Sequence, residues 1–183
     1  MDFQFSDEQR MIIKMVRDFA NKEILPTVEQ RDEEEVFDRG ILDRIGELGL
    51  MGIFFPEEYG GSDGDYLSYI LANEELSRVD DSIACSYAAS VSLCAWPIFT
   101  YGTDEQKKKY LTPLAEGSKL GAFGLTEPNA GTDSASQQTH AEKKDGYYLL
   151  NGSKCFITNG GEADIYVVFA MTDKSKDRKS TRL

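Results

Sequence analysis

The sequence predicts an α+β fold, with an all-α N-terminal helical domain followed by the start of an antiparallel β domain. Before Gly117, apolar residues recur every three or four positions, which is the spacing of amphipathic helices. After Gly117, short apolar or weakly alternating runs are separated by Gly-containing turns, as in a set of short strands. These two observations predict a helical domain over 1–117 and a partial β domain over 118–183.

Five helices are predicted in the first domain. The first begins at a capping box, in which the Ser6 hydroxyl accepts from the Gln9 amide while the Gln9 side chain reaches back, and Pro26 interrupts it. A second capping box at Thr103 opens the last helix, which runs to about Leu114. The other helices are predicted over 41–48, 66–79 and 82–94, with a charged connector over 29–38.

The β domain is predicted to consist of short strands over 121–126, 135–143, 147–150, 155–158 and 165–171. The dipeptide Asn151-Gly152 is a strong signal for a turn after the third of these. The polar stretch 174–182 follows the last strand without closing the sheet. The sequence therefore predicts an open sheet edge and a chain that is cut short.

The charge balance limits the classes of partner. The chain has 32 acidic and 20 basic side chains, giving a formal charge of −12. Binding to phosphate backbones or anionic membranes needs a basic surface, so nucleic acid is not expected as a partner. No apolar run of membrane-spanning length and no N-terminal signal core are recognised. We therefore expect a cytoplasmic protein without membrane insertion.

The residues that carry most enzymatic chemistry are scarce. His140, the one histidine, lies on a predicted strand without a nucleophile elbow, and we expect an exposed structural residue there. Cys85, Cys94 and Cys155 form no disulfide or metal-binding pattern, and the first two are predicted to be buried thiols. There is no dinucleotide-binding glycine motif and no P-loop. No catalytic residue and no metal site are assigned.

The most informative stretch is Phe-Gly-Leu-Thr-Glu-Pro-Asn-Ala-Gly-Thr-Asp at 123–133. It predicts a buried strand leading into a rigid loop, in which Pro128 fixes one dihedral and Gly131 permits a positive φ or a close backbone approach. Thr126, Thr132 and the loop amides supply hydrogen-bond donors that can hold an anionic or heteroaromatic ligand by its edge. A purely structural loop would have the same pattern.

A second stretch, Lys-Cys-Phe-Ile-Thr-Asn-Gly at 154–160, points to the same chemistry. Phe156 and Thr158 are two positions apart on a predicted strand, so they are expected to share one face. An aromatic plane with one hydroxyl donor suits a flat cofactor with heteroatoms at its edge. The same pattern is also common in protein cores.

These two stretches resemble the acyl-CoA dehydrogenase family. The segment 124–133 resembles its signature, 154–160 resembles its second flavin segment, and 55–61 and 101–107 are also similar. The resemblance extends to about Lys176 and is strongest to short-chain (butyryl-CoA) dehydrogenases of anaerobic bacteria. It implies that the β domain is a partial antiparallel β-barrel and that the C-terminal helical domain is absent.

The resemblance implies FAD as the cofactor, an acyl-CoA substrate, electron-transferring flavoprotein as partner, and a homo-oligomer in the full-length form. Thr126 would donate to the flavin pyrimidine edge, Phe156 would stack on the flavin, and Thr158 would donate near N5 and O4. Thr132 would also contact the substrate, and the helix over 86–93 would form part of the acyl pocket wall. The implied cofactor-binding residues are Phe123, Gly124, Leu125, Thr126, Glu127, Pro128, Asn129, Ala130, Gly131, Thr132, Phe156, Ile157 and Thr158.

The resemblance also implies limits on activity. The family's catalytic carboxylate lies beyond residue 183, so the isolated chain is expected to bind FAD weakly and to be inactive in acyl-CoA dehydrogenation. An exposed apolar surface on the β domain and a tendency to associate are expected as well. Three alternatives remain open: an acyl-CoA oxidase-like relative, a catalytically inactive truncated scaffold or interaction module, and an α+β domain of unrelated role.

Overall fold

The computed structural model describes residues 4–173, in which a helical N-terminal region precedes a few strands. This order confirms the α+β prediction at the level of element type and sequence. The polar stretch predicted over 174–182 lies outside the described residues. The helices are α1 Asp7–Phe19, α2 Val28–Glu33, α3 Arg39–Glu47, α4 Tyr66–Ser77, α5 Asp81–Ala88, α6 Trp96–Tyr101, α7 Asp104–Gln106 and α8 Thr112–Ala115.

Capping boxes start two of the helices, α1 and α7, where they were predicted. The Ser6 hydroxyl accepts from the Gln9 amide at 3.1 Å, and the Thr103 hydroxyl accepts from the Gln106 amide at 3.2 Å. Both capping boxes are completed by the glutamine side chain, which accepts from the backbone amide of the capping residue. These contacts satisfy amides that have no partner within the helix.

The predicted connector over 29–38 contains α2, so the sequence prediction was wrong for its first half. This stretch has no apolar stripe that would identify a helix. A tertiary contact holds it instead, because the Arg31 guanidinium donates to the Asp80 carboxylate at 2.8 Å and both side chains are nearly buried. Asp80 also caps α5 by accepting from the amides of Ser82 and Ile83.

Residues 81–101 form one continuous helical segment, longer than the predicted 82–94. A π-helical turn, Ala89–Ala95, joins α5 to α6 within it. Its 21 residues, with a mean hydropathy of 1.4 over an 18-residue window, meet the length and composition of a membrane-spanning helix, although serines interrupt the apolar run as the sequence prediction stated. Half of the apolar window is buried, and the segment packs against α4 and the first strand. This is the environment of a core helix.

The two helical cysteines differ in exposure. Cys94 is buried, and burial raises the pKa of its thiol to about 11. Cys85 is exposed, so the prediction of two buried thiols was wrong for this residue.

The strands are β1 Gly121–Gly124, β2 His140–Lys143, β3 Tyr148–Asn151 and β4 Ile165–Val168. β2 and β3 form the expected antiparallel hairpin, with His140 paired to Asn151. β1 and β4 pair in parallel, with Gly121 opposite Ile165, so the prediction of an antiparallel arrangement was wrong for this pair. Parallel neighbours need a long crossover, and the intervening hairpin and loops supply it. Residues 4–173 form two separate two-stranded sheets and no closed barrel.

The predicted strand over 155–158 does not form, because this stretch is a loop. Phe156 has a φ of 57° and Asn159 a φ of 64°. Left-handed residues of this kind break the extended conformation of a strand. The loop therefore presents its side chains differently from the alternating pattern that the sequence suggested.

The core lies among the helices and includes the first strand. Most of its members come from α1, α3, α4, the segment 81–101, α8 and the turns at 50–59, and Ala122 of β1 is also fully buried. The Gly121 amide donates to the buried Ser90 hydroxyl at 3.0 Å, which ties β1 directly to the helical segment. Gly117 has a φ of 75° and packs on Gly46 so closely that a Cβ would lie 2.5 Å from the Gly46 Cα. The division into domains at this point stays a prediction.

Candidate functional site

A shallow cavity of about 230 Å³ lies where the helical segment 81–101 faces two loops. We call it the helix–loop cavity. Both sequence stretches singled out above contribute to it, although they are about thirty positions apart in the chain. The helical wall is supplied by the π-helical turn, a conformation that is frequent at functional sites. The lining residues are Ala89, Leu93, Phe123, Leu125, Thr126, Phe156 and Thr158.

Phe156 supplies an aromatic surface at this cavity. Its side chain is 93% exposed although it is a large apolar residue. The left-handed backbone at this position turns it out of the regular chain direction. An exposed ring of this kind is available to stack on a flat ligand. The predicted partnership of Phe156 and Thr158 is therefore retained in space, although it does not come from a shared strand face.

Two hydroxyl groups, from Thr126 and Thr158, complete the polar part of the lining. The Thr126 carbonyl accepts from the Cys155 amide at 3.0 Å, so the two loops are joined beside the cavity. The Thr158 hydroxyl lies 3.8 Å from the Cys85 thiol of α5. The hydroxyls thus come from opposite loops.

Asn159 anchors the second loop to the helical part. Its side-chain amide nitrogen donates to the carbonyls of Ser86 and Gly121, each at 3.0 Å, and the residue is buried. The residue thereby joins the loop to both α5 and β1. Sequence reasoning gave Asn159 no role, but the Asn159-Gly160 dipeptide is a recognisable signal for a left-handed turn position.

Glu127, one of the predicted cofactor contacts, is buried inside its own loop. Its carboxylate accepts from the Gln138 amide at 2.5 Å, the Thr139 amide at 3.0 Å and the Lys154 ammonium at 2.8 Å. Burial alone would raise the pKa of Glu127, but these hydrogen bonds outweigh it and lower the pKa to about 2. The carboxylate is therefore ionised near neutral pH and lies outside the helix–loop cavity.

Of the predicted residues 123–132, only Phe123, Leu125 and Thr126 line the helix–loop cavity. Glu127 and Ala130 exchange two backbone hydrogen bonds of 3.1 Å, which close a tight turn. Pro128 and Asn129 face a different cavity of about 420 Å³, beside the hairpin of β2 and β3. Gly131 and Thr132 are exposed, Gly124 is buried, and Ile157 is half-buried.

Gly131 does not have the backbone conformation suggested by its sequence position. It is not among the glycines with a positive φ, and a Cβ placed on it would meet nothing within 4 Å among the described residues. The positive φ that glycine permits is therefore not used at this position, whereas a close approach of the loop backbone to a ligand stays a prediction. Only contact with a bound ligand would give this glycine a steric role.

The chemistry of the lining limits what the cavity can do. None of its seven residues carries a carboxylate, imidazole or amine, so they supply no proton acceptor. A larger cavity of about 540 Å³ lies between α6 and β4, but no predicted site residue lines it. Residues 4–173 contain no cluster of three potential metal ligands. The exposure predicted for His140 is confirmed. The helix–loop cavity suits binding and orientation of a flat, partly polar group.

Comparison with protein families gives two matches that together span most of the chain. The N-terminal domain of acyl-CoA dehydrogenases matches residues 6–118, and the middle domain of acyl-CoA dehydrogenases matches residues 122–183. The short-chain specific acyl-CoA dehydrogenase of Megasphaera elsdenii is 57% identical over 180 residues, which cover 96% of this chain and 47% of that protein. The chain thus spans about half the length of the curated relatives it matches.

Solved structures agree with this comparison. A chain in the structure of the electron transferring flavoprotein of Acidaminococcus fermentans has a TM-score of 0.95 at 60% identity, covering 97% of this chain and 47% of that one. Butyryl-CoA dehydrogenase from Megasphaera elsdenii has a TM-score of 0.93 at 56% identity, with coverage of 97% and 47%. Acyl-CoA dehydrogenase complexed with FAD from Bacillus anthracis has a TM-score of 0.86 at 43% identity, with coverage of 91% and 30%.

Proposed function

Since the chain belongs to the acyl-CoA dehydrogenase family, we propose that it forms the flavin-facing part of an enzyme that dehydrogenates short-chain acyl-CoA thioesters. The observation that carries the proposal is the helix–loop cavity, in which the two flavin-type stretches meet around an exposed phenylalanine. A core phenylalanine would be covered by protein, whereas Phe156 is left open to a ligand.

FAD is the proposed cofactor, and the lining of the cavity fits its flavin ring. Phe156 offers a flat apolar surface, Leu125 and Phe123 supply further apolar contact, and Thr126 and Thr158 offer hydroxyl donors for the heteroatoms at the ring edge. The Bacillus anthracis relative is named as a complex with FAD, which supports this assignment. When bound, FAD would supply the hydride acceptor of the reaction.

We propose that all thirteen predicted residues, 123–132 and 156–158, take part in cofactor binding, and that they do so in three different roles. Residues 123, 125, 126, 156 and 158 would contact the flavin ring, because they line the cavity. The exposed residues 128–129 and 131–132 would face the remainder of the cofactor, and Thr132 would also contact the substrate. Gly124, Glu127, Ala130 and Ile157 would hold the backbone of the two loops in position.

Short-chain acyl-CoA is the proposed substrate, and electron-transferring flavoprotein the proposed electron acceptor. The Megasphaera elsdenii relative is described as short-chain specific, and another similar chain belongs to a structure named for an electron transferring flavoprotein. Ala89 and Leu93, which form the helical wall of the cavity, would contact the acyl group. A homo-oligomer is proposed for the full-length form, and a cytoplasmic location stays a prediction.

Catalysis would require a proton acceptor that the cavity lining does not supply. Dehydrogenation of a thioester removes a proton from the α-carbon and a hydride from the β-carbon, so a positioned base is needed. The residues of this chain would bind and orient FAD and acyl-CoA. The base would come from the part of the related enzymes that this chain does not match. We therefore propose that the 183-residue chain by itself does not dehydrogenate acyl-CoA.

The proposal is tested by titrating the purified chain with FAD and following visible absorption and flavin fluorescence. We expect weak but saturable binding with a perturbed flavin spectrum. Replacing Phe156→Ala should weaken binding about tenfold, because a stacking surface is lost. Tyr148→Ala is the matched control, since Tyr148 is also an exposed aromatic residue but lies on β3. Equal losses in the two variants, or an unperturbed flavin spectrum with the unmodified chain, would argue against the proposal.

A further inference from the structure

One nearly buried ammonium group, that of Lys154, connects three segments around the proposed flavin site. The Lys154 side chain is 11% exposed and that of its partner Glu127 is 5% exposed. Its Nζ donates to the Leu125 carbonyl at 2.9 Å and to the Glu127 carboxylate at 2.8 Å. A third contact, of 3.3 Å, reaches the side-chain oxygen of Gln137.

These contacts lie next to the residues that line the helix–loop cavity. Leu125 and Thr126 line it from one loop, and Phe156 and Thr158 line it from the other, beginning two positions after Lys154. The Cys155 amide, next to Lys154, donates to the Thr126 carbonyl. Lys154 therefore joins the two loops beside the hydrogen bond between Cys155 and Thr126.

Stability alone is a weak explanation for this arrangement. Burying an ion pair costs solvation of both charges, and apolar residues of similar size often stabilise a fold as well or better. A hydrogen-bonded ion pair does impose a defined geometry, because its bonds are short and directional. Three acceptors around one ammonium restrict the relative position of the loops more than apolar packing would.

We propose that Lys154 is a positioning residue for the cofactor, which sets the distance and orientation between the Leu125–Thr126 edge and the Phe156–Thr158 edge of the flavin site. The inference rests on the proposed function. Lys154 acts through the loops and does not itself line the cavity.

The geometry of the peptide unit explains how the contact between Lys154 and the Leu125 carbonyl also orients the Thr126 N–H. The carbonyl and the N–H of one trans peptide unit point in opposite directions, and no cis peptide is found in the described residues. Holding the Leu125 carbonyl therefore also fixes the direction of the Thr126 N–H. At the other end, Lys154 and the Cys155 amide hold the start of the loop that carries Phe156.

The test compares Lys154→Met with Lys119→Met in the purified chain. Lys119 is a matched control, because its ammonium also forms an ion pair between segments, at 3.1 Å from Asp164, but it lies away from the cavity. FAD affinity, flavin fluorescence quenching and the thermal unfolding of the protein without FAD are measured for each. The same two substitutions are repeated in a chimera completed with the C-terminal half of the Megasphaera elsdenii enzyme, which is 57% identical over the shared part.

We expect Lys154→Met to weaken FAD binding by about 10- to 100-fold and to change the quenching of bound flavin, because small displacements of a preorganised site have effects of this size. Lys119→Met should leave both flavin readouts unchanged. Equal flavin affinity and quenching in the two variants would overturn the inference while leaving the proposed function in place. If the unmodified chain and the chimera both fail to bind FAD, the proposed function fails, and the inference with it.

If Lys154→Met does not fold, Lys154→Arg decides the question. Arginine keeps the positive charge but cannot reproduce the same three contacts from one nitrogen. We expect it to fold and to alter the spectrum of bound flavin. A spectrum and an affinity identical to those of the unmodified chain would overturn the inference.

Discussion

The helical region and the strand region are stabilised in different ways. Nearly all large, fully buried side chains belong to the helical region, including Tyr87, Phe55 and Leu76. In contrast, all four residues of β3 are exposed, among them Tyr148 and Leu150. The β1 strand shares the helical core, but the loops and the hairpin do not.

Polar contacts attach the strand region to the helical core. Asn159 donates to α5 and β1, and the Asp164 carboxylate accepts from Arg39 of α3, from Lys119 and from the Leu120 amide. The comparison suggests a division of roles: the helical core provides stability, the buried Asn159 positions a loop that carries the proposed site, and the Asp164 contacts attach the start of β4.

The largest expected effect is in the helical core. Leu76→Ala should lower the free energy of unfolding by about 2–5 kcal/mol, because Leu76 is fully buried and the truncation leaves a cavity. Leu150→Ala makes the same chemical change on β3, where the side chain is half exposed, and should change stability by less than about 0.5 kcal/mol. Urea unfolding of both variants measures the difference. Similar losses would mean that the hairpin belongs to the same cooperative core.

A smaller loss of stability is expected from Asn159→Ala, at about 2–3 kcal/mol. The change removes the donor to two buried carbonyls. It also places alanine, whose side chain cannot form the local hydrogen bonds that let asparagine adopt this conformation, at a φ of 64°. Asn159→Gly separates the two causes, because glycine accepts this φ. Urea unfolding and FAD titration are measured together. A loss no larger than that of Asn129→Ala, an exposed asparagine, would contradict an anchoring role for Asn159.

The most gradual effect is expected from pH. Burial opposes the ionisation of Glu127, but hydrogen bonds lower its pKa from 4.5 to about 2, and the Leu120 amide with the Arg39 and Lys119 cations lowers that of Asp164 from 3.8 to about 2. Depressed carboxylate pKa values stabilise the folded state above the unfolded pKa, and this contribution is lost as the pH falls toward about 2.

The free energy of unfolding should therefore decrease progressively between about pH 4.5 and pH 2. Glu127→Gln should show a shallower decrease over this interval, because one of the carboxylates with a depressed pKa is removed. Denaturant unfolding at a series of pH values provides the measurement. An identical pH slope for Glu127→Gln and the unmodified chain would show that Glu127 does not have the depressed pKa.

Local signals in the sequence predicted the parts of the fold that local chemistry controls. Helix starts at Ser6 and Thr103 depend on residues three positions apart, so they can be recognised without tertiary information. The hairpin of β2 and β3 depends on neighbouring alternation and turns, and it also formed as an antiparallel pair. Two further stretches, 124–133 and 154–160, were singled out by their resemblance to the flavin segments of the family, since residue type and spacing alone also fit a structural loop or a core strand.

Tertiary contacts decided the rest. The loop at 155–158 replaces a predicted strand because Asn159, held by α5 and β1, adopts a left-handed conformation that no strand pattern reveals. The parallel pairing of β1 with β4 depends on a crossover whose path is set by distant packing. Helix α2 depends on the ion pair between Arg31 and Asp80.

The sequence by itself determined the family, the order of helices and strands, and the residue types of the proposed flavin site. Only the tertiary structure decided which of those residues meet in one cavity, and it gave Glu127 a buried ion pair with Lys154 in place of a position in the cavity lining. The physical reason is the separation along the chain between the residues that interact. Capping and periodicity act within a few residues, whereas burial, ion pairing and the meeting of two loops depend on segments far apart in the chain.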